Sequence, residues 1–231
     1  MVKDTQVVSQ QLLEISELFY SIQGESTYAG LPCVFIRLAG CNLRCNYCDA
    51  RYTYEESHAV IPLADILSFV DGYPGAIVEI TGGEPLLQEK VYPLMAALVA
   101  KGRTVLLETN GSLPIDQVPP EVIVIMDIKT PGSGSADSLA GENISLAQGR
   151  NNNITGSCEI KFVLTDKHDY LWARDLVNQH TLNAGCPTLL SPVKAQLDPA
   201  DLAAWILQDQ FNVRLQLQLH TLIWPHRSRG V

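Results

Sequence analysis

The chain has 231 residues, 46% hydrophobic and 18% charged, with a formal net charge of −9. That balance fits one globular domain with a sizeable core and excludes a disordered chain. An acidic surface repels phosphate backbones, which argues against direct nucleic-acid binding; the basic tail His226-Arg227-Ser228-Arg229 is short. No apolar run reaches the ~18 residues needed to cross a bilayer, so no membrane contact is expected. The start, Met1-Val2-Lys3-Asp4-Thr5-Gln6, lacks the apolar stretch of a secretion leader. Six cysteines, three of them clustered, suit a reducing cytoplasm better than a disulfide framework.

Residues 32–39 predict a compact apolar strand that runs straight into a cysteine-bearing loop. Leu63, Ile66, Leu67 and Val70 recur at helical spacing. Residues 76–81 make a second strand, halted by Gly82-Gly83. Leu87, Val91, Leu94, Met95 and Leu98 form an amphipathic helix stopping near Gly102. Strands at 104–108 and 122–128 follow. The Gly-, Ser- and Asn-rich stretch 132–155 predicts a long surface loop. Residues 158–164 are a strand, followed by a helix carrying Ala173, Leu176 and Val177. A short strand at 188–190 precedes Asp198-Pro199, an N-cap with Pro at the first helical position. That helix carries Leu202, Trp205 and Ile206, and residues 213–218 alternate as a half-exposed last strand.

Strand–helix alternation predicts a parallel sheet with helices packed outside. About six units are visible, too few for a closed eight-stranded barrel. The expected fold is therefore α/β: an open, partial (β/α)6-type TIM barrel. It is read as a single domain over residues 1–231, with its core at 14–218 and a closing tail at 219–231.

The most informative motif is Gly40-Cys41-Asn42-Leu43-Arg44-Cys45-Asn46-Tyr47-Cys48. Three thiolates can hold three irons of a [4Fe-4S] cubane and leave the fourth iron without a protein ligand. Electron-transfer clusters take four cysteines, and structural zinc sites are closed by four ligands. A zinc site completed by His58, His168 or His220 remains an alternative, as does a redox thiol cluster. Thr81-Gly82-Gly83-Glu84-Pro85 adds glycines that permit close backbone approach, and a carboxylate able to accept from an ammonium. The plain reading is a turn before a helix, with Glu84 at its N-terminus. These groups, with Glu108-Thr109-Asn110-Gly111, Asp127-Ile128-Lys129 and Ser191-Pro192-Val193-Lys194, all follow predicted strands. In parallel α/β folds that rim collects ligands.

The cysteine spacing with Tyr47 before the last cysteine resembles the signature of radical S-adenosylmethionine enzymes. Adding Gln23-Gly24-Glu25, Arg37, Thr81-Gly82-Gly83-Glu84-Pro85 and Gln218-Leu219-His220, the chain resembles the 7-carboxy-7-deazaguanine synthases from about Glu14 to Val231. The resemblance implies a lyase of queuosine and 7-deazapurine biosynthesis. It would contract 6-carboxy-5,6,7,8-tetrahydropterin to 7-carboxy-7-deazaguanine with loss of ammonia, regenerating S-adenosylmethionine. Cys41, Cys45 and Cys48 would bind the cluster. Tyr47, Gly82, Gly83, Glu84, Asp127, Ile128, Lys129, Ser191, Pro192, Val193 and Lys194 would hold S-adenosylmethionine. Ile22, Gln23, Gly24, Glu25, Arg37, Thr81, His220 and the Val231 carboxylate would hold the substrate. Arg37 makes independent sense, because guanidinium grips a carboxylate bidentately. A flavodoxin- or ferredoxin-type electron donor and a homodimer are also implied.

Departures concern metal and cofactor. Ala50 stands where the family usually carries a magnesium-binding Thr, so the magnesium ligand is unassigned; Asp127-Ile128-Lys129 replaces Ser-Pro-Lys, and Thr221 replaces Lys. The competing enzyme is a glycyl-radical activating protein, and the non-enzyme reading is a zinc-stabilised module. Cys33, Cys158 and Cys186 read as buried structural thiols, and Trp172, Trp205 and Trp224 as packing residues.

Overall fold

Strands β1 (Leu12–Ile22), β2 (Pro32–Leu38), β3 (Ala59–Pro62), β4 (Ile77–Gly82) and β5 (Val105–Thr109) lie in one sheet with four more. Those are β6 (Ile123–Asp127), β7 (Cys158–Leu164), β8 (Thr188–Pro192) and β9 (Arg214–Leu215). The computed structural model describes residues 11–151 and 158–231; Met1 to Gln6 and the end of the 132–155 stretch lie outside the described residues. The strand order is β3-β1-β2-β4-β5-β6-β7-β8-β9. Neighbours from β2 to β9 run parallel, whereas β1 is antiparallel to both β2 and β3. Each strand after β4 is laid beside the one before it, without the reversal of a doubly wound sheet. A parallel sheet growing in one direction curls towards a barrel. This one stays open, because β3 and β9 end it unpaired with each other.

Period-two alternation decides what each face holds. Val34, Ile36, Leu38, Val78, Ile80, Val124, Met126, Ile160 and Phe162 are buried in the main core. They pack with residues of helices α2 (Leu63–Asp71), α3 (Val91–Ala100), α4 (Asn143–Asn151), α5 (Lys167–His180) and α7 (Pro199–Gln208). The short helices α1 (Tyr52–Glu55), α6 (Leu182–Gly185) and α8 (Leu219–Ile223) complete the set. Each fully buried aliphatic or aromatic side chain contributes about 1.5–3 kcal/mol. The intervening residues Arg37, Glu79, Thr81, Glu108, Asp127 and Lys161 take the opposite face and line a cavity. A one-residue slip would drive those charges among the helices, so register is strongly specified.

Several sequence expectations are corrected. Strand β1 was not expected, nor was β3. The β1–β2 register shifts between Ile15 and Glu17, and such a bulge interrupts the alternation that marks a strand. The 132–155 stretch is not a plain loop: it holds 3-10 turns Pro131–Ser133 and Ala136–Ser138, and then α4. Asn143 is fully buried there; its Nδ2 donates to the Gly111 and Leu113 carbonyls at 2.8 Å, and its Oδ1 accepts from Ile115 N at 3.1 Å. Its polar character serves the backbone of a neighbouring loop, which composition cannot reveal. The last strand shrinks to Arg214–Leu215, because only Leu189↔Arg214 and Leu190↔Leu215 pair at that edge. The helix expected from Leu87 is split into a 3-10 turn, Pro85–Leu87, and α3.

Asn143→Ala should lower stability by about 2–4 kcal/mol, because it strands buried polar groups on two chain segments. Chemical unfolding checks this, and an unchanged midpoint would show that those bonds carry no weight.

Candidate functional site

A cavity of about 450 Å³ opens where β2, β4, β5, β6, β7 and β8 end. Cys41, Cys45 and Cys48 lie on its wall, in the loop after β2. Two other loops and strand β7 hold that loop in place. Asn46 N donates to the Ser133 carbonyl at 2.9 Å, and Asn46 Nδ2 to Gly132 at 3.2 Å. Asn110 Nδ2 donates to Asn42 Oδ1 at 3.1 Å, and Asn42 Nδ2 to Ser112 Oγ at 2.8 Å. Tyr47 OH donates to the Val163 carbonyl at 3.3 Å.

Gly82 and Gly83 press on the root of the same loop. A Cβ on Gly82 would sit 2.3 Å from the Leu38 carbonyl oxygen, and one on Gly83 2.2 Å from that of Gly40. Gly82 also has φ +151°. Glu84 N donates to the Gly40 carbonyl at 2.9 Å, closing the contact. The Glu84 carboxylate is fully buried and faces the protein, accepting from Leu86 N at 3.0 Å, Asn110 N at 2.7 Å and Thr109 Oγ1 at 2.9 Å. Burial raises its pKa, against those hydrogen bonds.

The donor set can be tested against a single metal ion and against a larger group. A zinc ion with thiolates at about 2.3 Å would bring their sulfurs within roughly 3.8 Å of one another. Among the described residues, the group whose ligand atoms gather within 4.8 Å is Asp166, His168 and Asp169, and the cysteine sulfurs form no such group. They are therefore not gathered as one zinc ion would hold them, and three thiolates on one loop supply three of the four iron ligands of a cubane. His58 is paired with Glu14 at 3.2 Å, and His168 sits beside Asp166 and Asp169, so neither completes a zinc site here. Burial raises the Cys41 and Cys45 thiols; Lys129 opposes the rise at Cys45. Iron displaces such protons on binding.

The rest of the wall carries the residues singled out for substrate and cofactor. Ile22, Gln23, Gly24, Glu25, Arg37, Thr81, His220 and Val231 are on it, as are Tyr47, Asp127, Lys129, Val193 and Lys194. Glu84, Ile128, Ser191 and Pro192 are not; all four are buried behind it. Arg37 Nε donates to Glu17 Oε2 at 3.2 Å, and its guanidinium lies over the Phe19 ring at 5.9 Å, while its Nη groups make no hydrogen bond among the described residues. Glu17 also accepts from Tyr52 OH at 3.0 Å, which fixes the guanidinium's orientation. Gln23 Nε2 donates to Glu79, and its Oε1 accepts from Glu25 N at 3.1 Å. Gly24 lies against His220, whose Nδ1 is 3.0 Å from where a Cβ would stand. Asp127 Oδ1 is buried with no hydrogen-bond partner.

Sequence reasoning missed Glu79, Lys161 and Tyr52, and did not assign Glu108 a binding role. It also read Trp224 as packing, whereas Trp224 lines the cavity. A signal existed: Lys161 interrupts Cys158–Leu164, which is buried at every position, and it shares inward parity with Glu159 and Val163. Burial, with Glu108 nearby, raises the Glu79 carboxyl to about 8 despite the bond from Gln23. Burial also opposes ionisation of Glu108, but the Lys161 ammonium outweighs it and lowers that carboxyl to about 2. The two carboxyls are thus driven apart in acidity.

Residues 35–123 match the Radical SAM superfamily. A 7-carboxy-7-deazaguanine synthase of Chlorobaculum tepidum is 45% identical over 219 residues, covering 95% of this chain and 97% of that protein. One of Koribacter versatilis is 42% identical over 233 residues, covering 95% and 100%. The fold is similar to a crystal structure of QueE from Escherichia coli, with TM-score 0.75 at 24% identity, over 94% of this chain and 98% of that one. Streptococcus suis SuiB bound to S-adenosylmethionine gives a TM-score of 0.56 at 18% identity, over 81% of this chain and 51% of that one. Fold, cysteine loop and superfamily match define a radical S-adenosylmethionine enzyme. The chain belongs to the 7-carboxy-7-deazaguanine synthase family. That membership sets aside the glycyl-radical activating protein and the zinc module.

Gly83→Ala should displace the cysteine loop, since its Cβ would overlap the Gly40 carbonyl and lie 2.6 Å from Cys41 Cβ. Iron and sulfide per chain after anaerobic reconstitution should fall. Full loading would show that the loop yields without losing its ligand geometry.

Proposed function

We infer that this chain converts 6-carboxy-5,6,7,8-tetrahydropterin to 7-carboxy-7-deazaguanine with loss of ammonia, in 7-deazapurine biosynthesis. The observation that carries this reading is a shared cavity: the three cysteines and the Gln23–Gly24–Glu25, Arg37, Thr81 and His220 set line the same walls. Cys41, Cys45 and Cys48 would hold a [4Fe-4S] cluster, and Gly82, Gly83, Asp127, Lys129, Val193 and Lys194, on the same cavity wall, would hold S-adenosylmethionine. When bound, cluster and S-adenosylmethionine supply the one-electron chemistry that removes a hydrogen atom from a substrate C–H bond.

The protein's own contribution is binding and aim. Arg37, fixed on one edge by Glu17, presents its remaining donors to the substrate carboxylate. Glu25 and Glu108 accept from the N–H groups of the heterocycle, and Thr81 Oγ1 donates to Glu108 Oε2 at 3.0 Å, holding that carboxylate in place. Trp224, Pro225, Arg227 and Val231 bring the tail across the cavity wall and help exclude water. Ala50 supplies no side-chain oxygen, and its carbonyl already accepts from Thr53 N at 3.0 Å and Oγ1 at 2.8 Å. A magnesium ion at the substrate carboxylate would draw its oxygens from elsewhere.

The electron comes from a flavodoxin- or ferredoxin-type protein, and the working enzyme is a homodimer in the reducing cytoplasm. No helix among the described residues is long and apolar enough to cross a membrane. Residues 14–218 act as the catalytic core of a single domain, and 219–231 as its closing tail.

Anaerobic incubation of reconstituted enzyme with the pterin, a reductant and S-adenosylmethionine tests the reading; absence of 7-carboxy-7-deazaguanine would end it. Arg37→Lys should raise the pterin KM by about 10- to 100-fold, the worth of a charged bidentate contact, while S-adenosylmethionine binding persists. An unchanged KM would remove Arg37 from carboxylate recognition.

A further inference from the structure

Lys161 stands in the middle of β7 between buried Ile160 and Phe162, with its side chain only 4% exposed. Its Nζ lies 2.6 Å from Glu25 Oε2, 2.8 Å from Glu108 Oε1 and 4.0 Å from Asp127 Oδ2. Those carboxylates come from the loop after β1, from β5 and from the end of β6. One ammonium therefore ties three separate walls of the cavity together.

The local charges leave Lys161 without a substitute. Four carboxyls, Glu25, Glu79, Glu108 and Asp127, share this face with the cations Arg37, Lys129 and Lys161. Arg37 is engaged by Glu17 at 3.2 Å, and Lys129 by Asp127 at 2.7 Å. Only Lys161 contacts Glu25 and Glu108 among these cations. A buried ion pair seldom stabilises a fold better than well-packed apolar side chains would, so folding alone gives little reason for it. Both carboxylates keep room for a ligand. Glu108 accepts from Lys161 Nζ at 2.8 Å and from Thr81 Oγ1 at 3.0 Å; Glu25 is ion-paired with Lys161 and accepts from Gln218 Nε2 at 3.0 Å, while its Oε2 has no hydrogen-bond partner. A carboxylate offers about four lone-pair sites, and these two side chains are 26% and 18% exposed on the cavity wall.

We propose that Lys161 is a positioning residue: its ammonium holds the side chains of Glu25 and Glu108 in place and aimed into the cavity, where they accept hydrogen bonds from the substrate's pyrimidine N–H edge. This rests on the pterin reading above. The groups facing Glu108 are Glu79 and Thr81 from β4, Arg37 from β2, Lys129 and Asp127 from the β6 end, and Lys161. Lys161 lowers the Glu108 carboxyl, whereas burial opposes its ionisation. The ionised form is therefore lost only as pH falls through a low value, and removing Lys161 moves that loss to higher pH.

The test is anaerobic kinetics against pH on reconstituted wild type, Lys161→Met, Lys161→Arg, Glu108→Gln and the double variant Lys161→Met/Glu108→Gln. Lys161→Met should keep its iron and S-adenosylmethionine affinity, raise the pterin KM roughly tenfold or more, and shift the acid limb of kcat/KM to higher pH. Lys161→Arg should keep that limb near its wild-type position. A wild-type KM and acid limb in Lys161→Met would overturn the proposal. Should Lys161→Met fail to fold, the double variant is compared with Glu108→Gln alone, because both lack the Glu108 acceptor and differ only at Lys161. A higher pterin KM in the double variant supports the positioning role, exerted there through Glu25; equal KM values show a purely structural lysine and overturn the proposal. A wild-type enzyme that does not convert the pterin strikes the functional reading, whereas one that does, matched by Lys161→Met, strikes this proposal alone.

Discussion

Charge can be buried on one face of a sheet only where each group meets its complement, and that constraint organises this molecule. Glu25, Glu79, Glu108 and Asp127 would repel one another in a cavity of about 450 Å³ without Lys161, Lys129 and Arg37 among them. Because Arg37 on β2 and Lys161 on β7 flank the carboxyls of β4, β5 and β6, with Lys129 just beyond β6, the inner face can be polar while the outer face packs against helices. Low dielectric sharpens the result: neighbouring carboxyls Glu79 and Glu108 are driven to opposite ends of the carboxyl range. A site with fixed acceptors beside a neutral carboxyl is suited to reading the mixed donor and acceptor edge of a heterocycle.

The cysteine loop obeys a different constraint, that of backbone approach. Gly82 and Gly83 let β4 run so close to the root of the loop that any side chain there would collide with carbonyl oxygens. Hydrogen bonds from Asn46 to the Gly132 and Ser133 carbonyls then fasten the loop's far side. The stretch that composition marks as a featureless loop is thus part of the support for the three thiols. Asn143 extends the same scaffold by tying down residues 111 to 115, next to Asn110 and Ser112, which contact Asn42.

Much of the fold was legible because apolar alternation and helical spacing are local signals. The parallel strands β2 and β4 to β8 fell within a residue or two of their observed bounds, and the Asp198 cap is present, accepting from Ala200 N at 2.8 Å. Strand β1 was illegible because its bulge breaks the period, and β3 because four residues, two exposed and two half-buried, carry too little pattern. The site divided the same way. Cysteines, glycines and the Gln23–Gly24–Glu25 element announce themselves by spacing. Glu84 does not: its carboxylate looks like a ligand for an ammonium, yet it is filled by backbone donors from two loops.

By itself the sequence determined the chemistry that is available: three thiols in one short run, a glycine pair after a strand, and charged residues at inward parity within apolar strands. These are properties of spacing, and spacing survives without coordinates. Only the tertiary structure decided which charges meet. Lys161 lies 136 positions from Glu25 and 53 from Glu108 along the chain, and no local pattern relates them. They become neighbours because parallel strands in register bring their ends to one rim, where burial makes each charge depend on the next.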